Sequence, residues 1–121
     1  MSEHEELYPR ASRDLAERRQ RLAPRQNEAF QAFSRSVFAE GAIATKTKQL
    51  IAVAVAHVTR CPYCIHAHTR ASVRRGATAE EIMEAIWVAA EMRAGGAYAH
   101  STLALNEIGR YETETASGDE H

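Results

Sequence analysis

Between Arg25 and Ala39 the apolar residues Phe30, Phe33, Val37 and Phe38 recur at i, i+3, i+7 and i+8, the period of one helix face. The spacing predicts a helix over 25–39, with Gly41 as a left-handed stop. It also assigns the phenylalanines to the core, the usual place for such a stripe. From Thr45 or Thr47 the pattern changes. Lys46 and Lys48 keep the helix start wet, and Leu50, Ile51, Val53, Ala54, Val55 and Val58 follow almost without interruption. A helix apolar nearly all round is buried on several sides. Its β-branched residues would also suit a strand, but the chain has no other strand-like run and no Gly-rich hairpin signal, so the helix is preferred.

The remaining elements are marked by their ends. A polar helix is expected from about Arg10 to Leu22, with Leu15 and Leu22 seven apart, and Pro24 interrupts it. Pro62 suits the first position of a helix, where its missing N–H has no partner to lose. That placement makes Cys61 the N-cap and Cys64 a first-turn residue. Arg74, Arg75 and Gly76 supply a cationic last turn and a glycine stop. Thr78-Ala79-Glu80-Glu81 reads as a capping box, followed by an inner stripe of Ile82, Ile86, Ala89 and Ala90 with Trp87 beside it. Gly95-Gly96 is expected to break this helix or to let two helices approach, with a last helix from about Ala97 to Tyr111. The expectation is an all-α bundle of about six helices without a sheet. It forms one domain over 1–121, with its core at 25–111 and disordered ends at 1–8 and 112–121.

Composition refines this picture in two respects. The 121 residues are 45% hydrophobic with a formal net charge of -1, enough for one modest core. The small net charge conceals an arginine-rich stretch over residues 10–25. Asp14 and Glu17 interrupt that stretch and no aromatic residues interleave with it, so it reads as an exposed helix face or subunit contact rather than a nucleic-acid site. The start, MSEHEELYPR, carries no signal-peptide pattern, and LIAVAVAHV is about half of a membrane span. A cytoplasmic, non-membrane protein is expected. A short helical chain with so apolar a third helix is also expected to bury surface between copies of itself.

Candidate chemistry is concentrated in Cys61-Pro62-Tyr63-Cys64, which holds both cysteines of the chain, and in His68 four residues further on. A thiol is a useful nucleophile as thiolate, and a helix N-terminus favours the anion through its unpaired N–H groups. Residues three apart share a helix face, so two such sulfurs can close a disulfide with little backbone movement. An imidazole at i+4 can take or return the proton. His66 lies about 160° round the helix from His68 and is expected to face elsewhere. In a reducing compartment a CxxC points to redox or metal chemistry. Zinc wants four ligands; Cys61, Cys64 and His68 give three, leaving His57, His100 or an outside group for the fourth. Two inert, packed cysteines are the remaining alternative.

The blocks KTKQLIAVAVA, CPYCIHAH, RRGATAEEIMEAIWVAA and GGAYAHS, in this order and spacing over roughly Ala42 to Leu105, resemble the carboxymuconolactone decarboxylase superfamily in its AhpD-like alkylhydroperoxidase branch. The resemblance implies an all-helical fold, assembly as a trimer or hexamer, and cysteines that cycle between dithiol and disulfide without cofactor or metal. It further implies a hydroperoxide as substrate and a dithiol electron donor of unknown identity. In that pattern the residue matched by Cys64 meets the peroxide or partner disulfide, the residue matched by Cys61 resolves it, and His68 belongs to a proton relay. The branch with decarboxylase chemistry generally lacks the cysteine pair, leaving a related enzyme acting on some other small molecule as a further alternative. Two positions depart from the pattern. Gln49 stands where the relay usually has glutamate, and Tyr63 stands where some relatives have histidine. Glutamine can orient a histidine but cannot take up a proton. Either Glu91, His57 or His100 completes the relay, or the protein is a slower thiol–disulfide exchanger.

Overall fold

A computed structural model describes residues 7–118, and among these residues every regular element is helical. Helix α1 spans Arg13–Leu22 and α2 spans Pro24–Phe38. Helices α3 (Thr45–Thr59), α4 (Pro62–Arg74) and α5 (Ala79–Gly118) complete the order. No helix is long and apolar enough to cross a membrane among the described residues.

Helix α3 is the axis against which the others pack. Its buried residues Thr45, Gln49, Val53 and Ala56 fall on one seam at helical spacing, and α4 and α5 lie against it. Ile82 and Ala89 of α5 and Ser72 of α4 complete the buried set. The start of α3 is tied to the end of α2. The Thr45 hydroxyl donates to the Phe38 carbonyl at 2.9 Å, and the Lys48 ammonium donates to the Ala39 carbonyl at 2.6 Å.

Helix ends follow the local sequence closely. Ser12 caps α1 by accepting the Leu15 N–H, so the helix begins at Arg13 rather than near Arg10. Pro24 occupies the first turn of α2. Arg60 ends α3 in a left-handed conformation, φ 59 and ψ 49, and both its N–H and that of Cys61 return to the Ala56 carbonyl. After α4 the chain turns at Gly76, whose φ of 91 is open to glycine at no steric cost. The capping box forms as the sequence predicts. Thr78 N–H reaches the Glu81 carboxylate at 2.8 Å, and Glu81 N–H reaches the Thr78 hydroxyl at 3.1 Å.

Three expectations need correction. Gly95-Gly96 does not break a helix: α5 runs through it for 40 residues, about 60 Å. The five helices replace the expected six for that reason. Two glycines cost roughly 1 kcal/mol each in a helix interior, too little to stop a helix flanked by good formers on both sides. Secondly, residues 112–118 of the expected disordered tail continue α5. Thirdly, the Phe stripe is not a core within one chain. Phe30 and Phe33 are 62% and 63% exposed, and Leu22, Trp87, Tyr98 and Leu105 are exposed to a similar degree. Of the predicted inner stripe of α5, Ala90 also faces out. At the amino end, residues 1–6 of the expected disordered segment lie outside the described residues, whereas Tyr8 packs edge-on against Tyr63.

Candidate functional site

The sharp turn between α3 and α4 builds the thiol centre. The left-handed Arg60 reverses the chain, and Pro62 starts α4 with its φ already helical. Cys61 is thereby fixed as N-cap. Its sulfur takes the place of the usual serine or aspartate oxygen and accepts the Cys64 N–H at 3.2 Å. Cys64 follows one turn later on the same face, and the two sulfurs are in contact, 2.6 Å apart. Both cysteines are free and half-buried. The pair is side by side at the electropositive end of a helix.

The two thiols differ. Cys61 is held below the ordinary thiol range, first by its side-chain hydrogen bond with Cys64 and then by the Cys64 and Tyr63 backbone N–H groups; slight desolvation opposes this. Cys64 is pushed up first by that same bond, and further by desolvation and by the charge on Cys61. Of the two, Cys61 is the stronger acid and Cys64 the weaker. The resemblance instead nominates Cys64 as the group that meets the oxidant.

A second unit lies one turn further along α4. His68 Nδ1 is 2.7 Å from Oε1 of Gln49, which comes from the buried seam of α3. An amide oxygen only accepts, so Nδ1 carries the hydrogen and Nε2 keeps its lone pair. The Phe38 ring stacks on the imidazole, centroids 5.1 Å apart and planes at 23°. Burial lowers the His68 pKa and favours the neutral ring. The imidazole is thus a fixed neutral base, although no hydrogen bond joins it to either sulfur among the described residues.

The other candidate relay groups are not assembled here. His57 Nδ1 bonds the Val53 carbonyl of its own helix at 2.7 Å, and its ring lines a shallow depression with Arg60, Pro62, Ile65 and His66. Glu91 and His100 are exposed on α5, and no hydrogen bond or ion pair joins them to the centre among the described residues. His66 faces away from His68 and lines a cavity on the other side of α4. For zinc, no group of three His, Cys, Asp or Glu residues is placed to hold an ion among the described residues. Phe38 is the contributor that sequence reasoning missed. Its place in an apolar stripe hid it, since periodicity identifies a face and not the ring that will be stacked on it.

A small helical protein presenting a CxxC dithiol at a helix N-terminus, with a glutamine-anchored histidine beside it, is the class that this fold and site define. The sequence model of the carboxymuconolactone decarboxylase family matches residues 24–107, and the chain belongs to that family. It is 60% identical over 97 residues to uncharacterized protein 4 in the cox locus of Paracoccus denitrificans, spanning 80% of this chain and 86% of that one. An uncharacterized protein of Cupriavidus necator is 32% identical over 82 residues, covering 68% of this chain and 73% of its own length. Among solved structures, a carboxymuconolactone decarboxylase family protein from Legionella pneumophila, in its apo form, superimposes with a TM-score of 0.61. It is 35% identical, and the match covers 65% of this chain and 70% of the other. A protein from Methanobacterium thermoautotrophicum gives a TM-score of 0.66 at 33% identity, covering 69% and 94% of the two chains.

Proposed function

We propose that the protein is a thiol-dependent oxidoreductase of the AhpD-like kind, cycling Cys61 and Cys64 between dithiol and disulfide. The observation that carries this reading is the contact between the two sulfurs at the N-terminus of α4. A capping thiolate with a thiol beside it is primed for two-electron chemistry. With a hydroperoxide, one thiolate attacks the terminal peroxide oxygen, the O–O bond breaks, and the alcohol leaves after taking up a proton. The sulfenic acid so formed condenses with the second thiol, releasing water and closing the Cys61–Cys64 disulfide. An external dithiol then reduces that disulfide and is itself oxidised. His68, through Nε2, is the group suited to receive and return the proton. A partner disulfide would be reduced by the same pair through a mixed disulfide.

The test is direct. Alkyl hydroperoxide supplied with a dithiol reductant should be turned over by the native chain, and mass spectrometry after mild peroxide should show the loss of two hydrogens. Either Cys64→Ser or Cys61→Ser should abolish turnover; full activity in the Cys64→Ser variant would overturn the mechanism.

Assembly into a trimer or hexamer is part of the proposal. One chain exposes 10049 Å², against about 6,500 Å² for a compact monomer of its mass. Phe30 and Phe33 of α2 and Trp87, Met92, Tyr98 and Leu105 of α5 are among the exposed apolar residues, and other copies of the chain are the occupants the family resemblance implies.

A further inference from the structure

The His66 and Tyr63 side chains make no hydrogen bond to either sulfur among the described residues, yet both residues line a cavity of about 680 Å³ between α4 and the segment that precedes α1. That volume lies within the usual range for small-molecule sites. The segment crosses α4 as a strap. Tyr63 donates its hydroxyl to the Pro9 carbonyl at 2.7 Å, and the Tyr8 ring meets the Tyr63 ring edge-on at 6.2 Å. Tyr63, His66 and Arg70 share one face of α4 at i, i+3 and i+7, and that face is turned away from Cys61, Cys64 and His68. The cavity is therefore separate from the thiol centre, joined to it through Tyr63, which stands between the two cysteines in the chain.

The lining has a definite chemistry. Arg70 on α4 and Arg10 on the strap bring two permanent cations to it, His66 adds a ring N–H, and no carboxylate lines it among the described residues. Neither arginine makes an ion pair among the described residues. Tyr8, Tyr63 and Pro62 supply an apolar wall. Guanidinium groups recognise carboxylate or phosphate, and the wall accommodates a short hydrocarbon body. We infer that this cavity is a binding site for a small amphipathic anion, its charged head on Arg10 and Arg70 and its apolar body against Tyr8, Tyr63 and Pro62.

Calorimetric titration of the full chain with octanoate, octyl phosphate and 1-octanol tests the site without reference to thiol chemistry. At least one of the two anions should bind saturably at one site per chain, and whichever binds more tightly names the head group. Affinity should fall at least tenfold in Arg70→Gln and in Arg10→Gln, and stay within twofold of native in Cys64→Ser. Arg10 lies outside every helix, so its replacement leaves the fold intact and keeps the test interpretable. Binding of 1-octanol as tight as that of the anions, undiminished affinity in both arginine variants, or no saturable binding would overturn the inference.

Discussion

Oε1 of Gln49 and Nδ1 of His68, 19 residues apart in sequence, meet at 2.7 Å across the contact between α3 and α4. Glutamine at a buried seam position would be a liability without a partner; with His68 it becomes the device that fixes which ring nitrogen is basic. The same bond explains what the centre lacks. An amide passes no proton onward, so no proton path leads from the imidazole through Gln49.

Replacing Gln49 by glutamate should therefore change both the titration and the rate. A carboxylate facing Nδ1 stabilises the imidazolium, so the His68 pKa should move up from its presently lowered position, as read by NMR titration of the ring protons. Peroxidase kcat/KM should rise on the order of 10-fold or more, within the range of general acid–base effects. A variant whose His68 titration moves while kcat/KM does not would show that the missing carboxylate does not limit the reaction.

The asymmetry of the thiols predicts a pH profile. Cys61 is a depressed acid, so its thiolate is present above its lowered pKa and is lost as pH falls through it. Alkylation of Cys61 should have its midpoint below the ordinary thiol range. Cys64→Ala deletes the largest cause of the depression, the side-chain hydrogen bond between the two cysteines, and should move the midpoint up. Trapping with a sulfenate reagent then assigns the first attack: in single turnover, Cys64→Ser should form sulfenate faster than Cys61→Ser at neutral pH.

Burial of His68 predicts a stability trend of fixed sign. Its folded pKa is lowered, so no differential protonation exists well above the ordinary imidazole range. As pH falls through the unfolded value the unfolded chain takes up the proton first, and stability declines until the folded pKa is passed. Denaturant titrations from pH 8 to pH 5 should show this decline, and His68→Gln should reduce it. An unchanged slope in that variant would assign the decline to other groups.

Ser72 offers a stabilising substitution. Its hydroxyl is fully buried and makes no hydrogen bond among the described residues. An unpaired buried hydroxyl is unfavourable by about 1–3 kcal/mol, and alanine is also the better helix former. Ser72→Ala should raise unfolding free energy by about 1 kcal/mol at fixed protomer concentration. A loss of stability would mean that the hydroxyl has a partner in the assembled protein.

The exposed phenylalanines predict association. Light scattering at micromolar concentration should return a mass at least three times that of the chain, and Phe30→Asp with Phe33→Asp should lower it. A native monomer would contradict the assembly proposal.

Local chemistry was legible in the sequence because it is decided within a turn or two. Pro62 suits the first position of a helix, which makes Cys61 its cap and Cys64 its first-turn neighbour, as the structure has them. Thr78 and Glu81 satisfy each other, and Gly76 turns where a side chain would be strained. The family resemblance rests on these same short blocks. What required the tertiary structure is everything set by helices meeting. Helical periodicity shows that Phe38 belongs to an apolar face, but only the docking of α2 lays its ring on His68. The pattern of α3 predicts a helix buried on several sides, whereas one chain buries a single seam and leaves Ile51, Val55 and Val58 exposed; only its contact with α4 brings Gln49 to the imidazole. Side-chain spacing along a helix is fixed by 3.6 residues per turn; which faces touch is fixed by the packing of the whole chain. That packing also left Arg10, Tyr63 and Arg70 around one cavity.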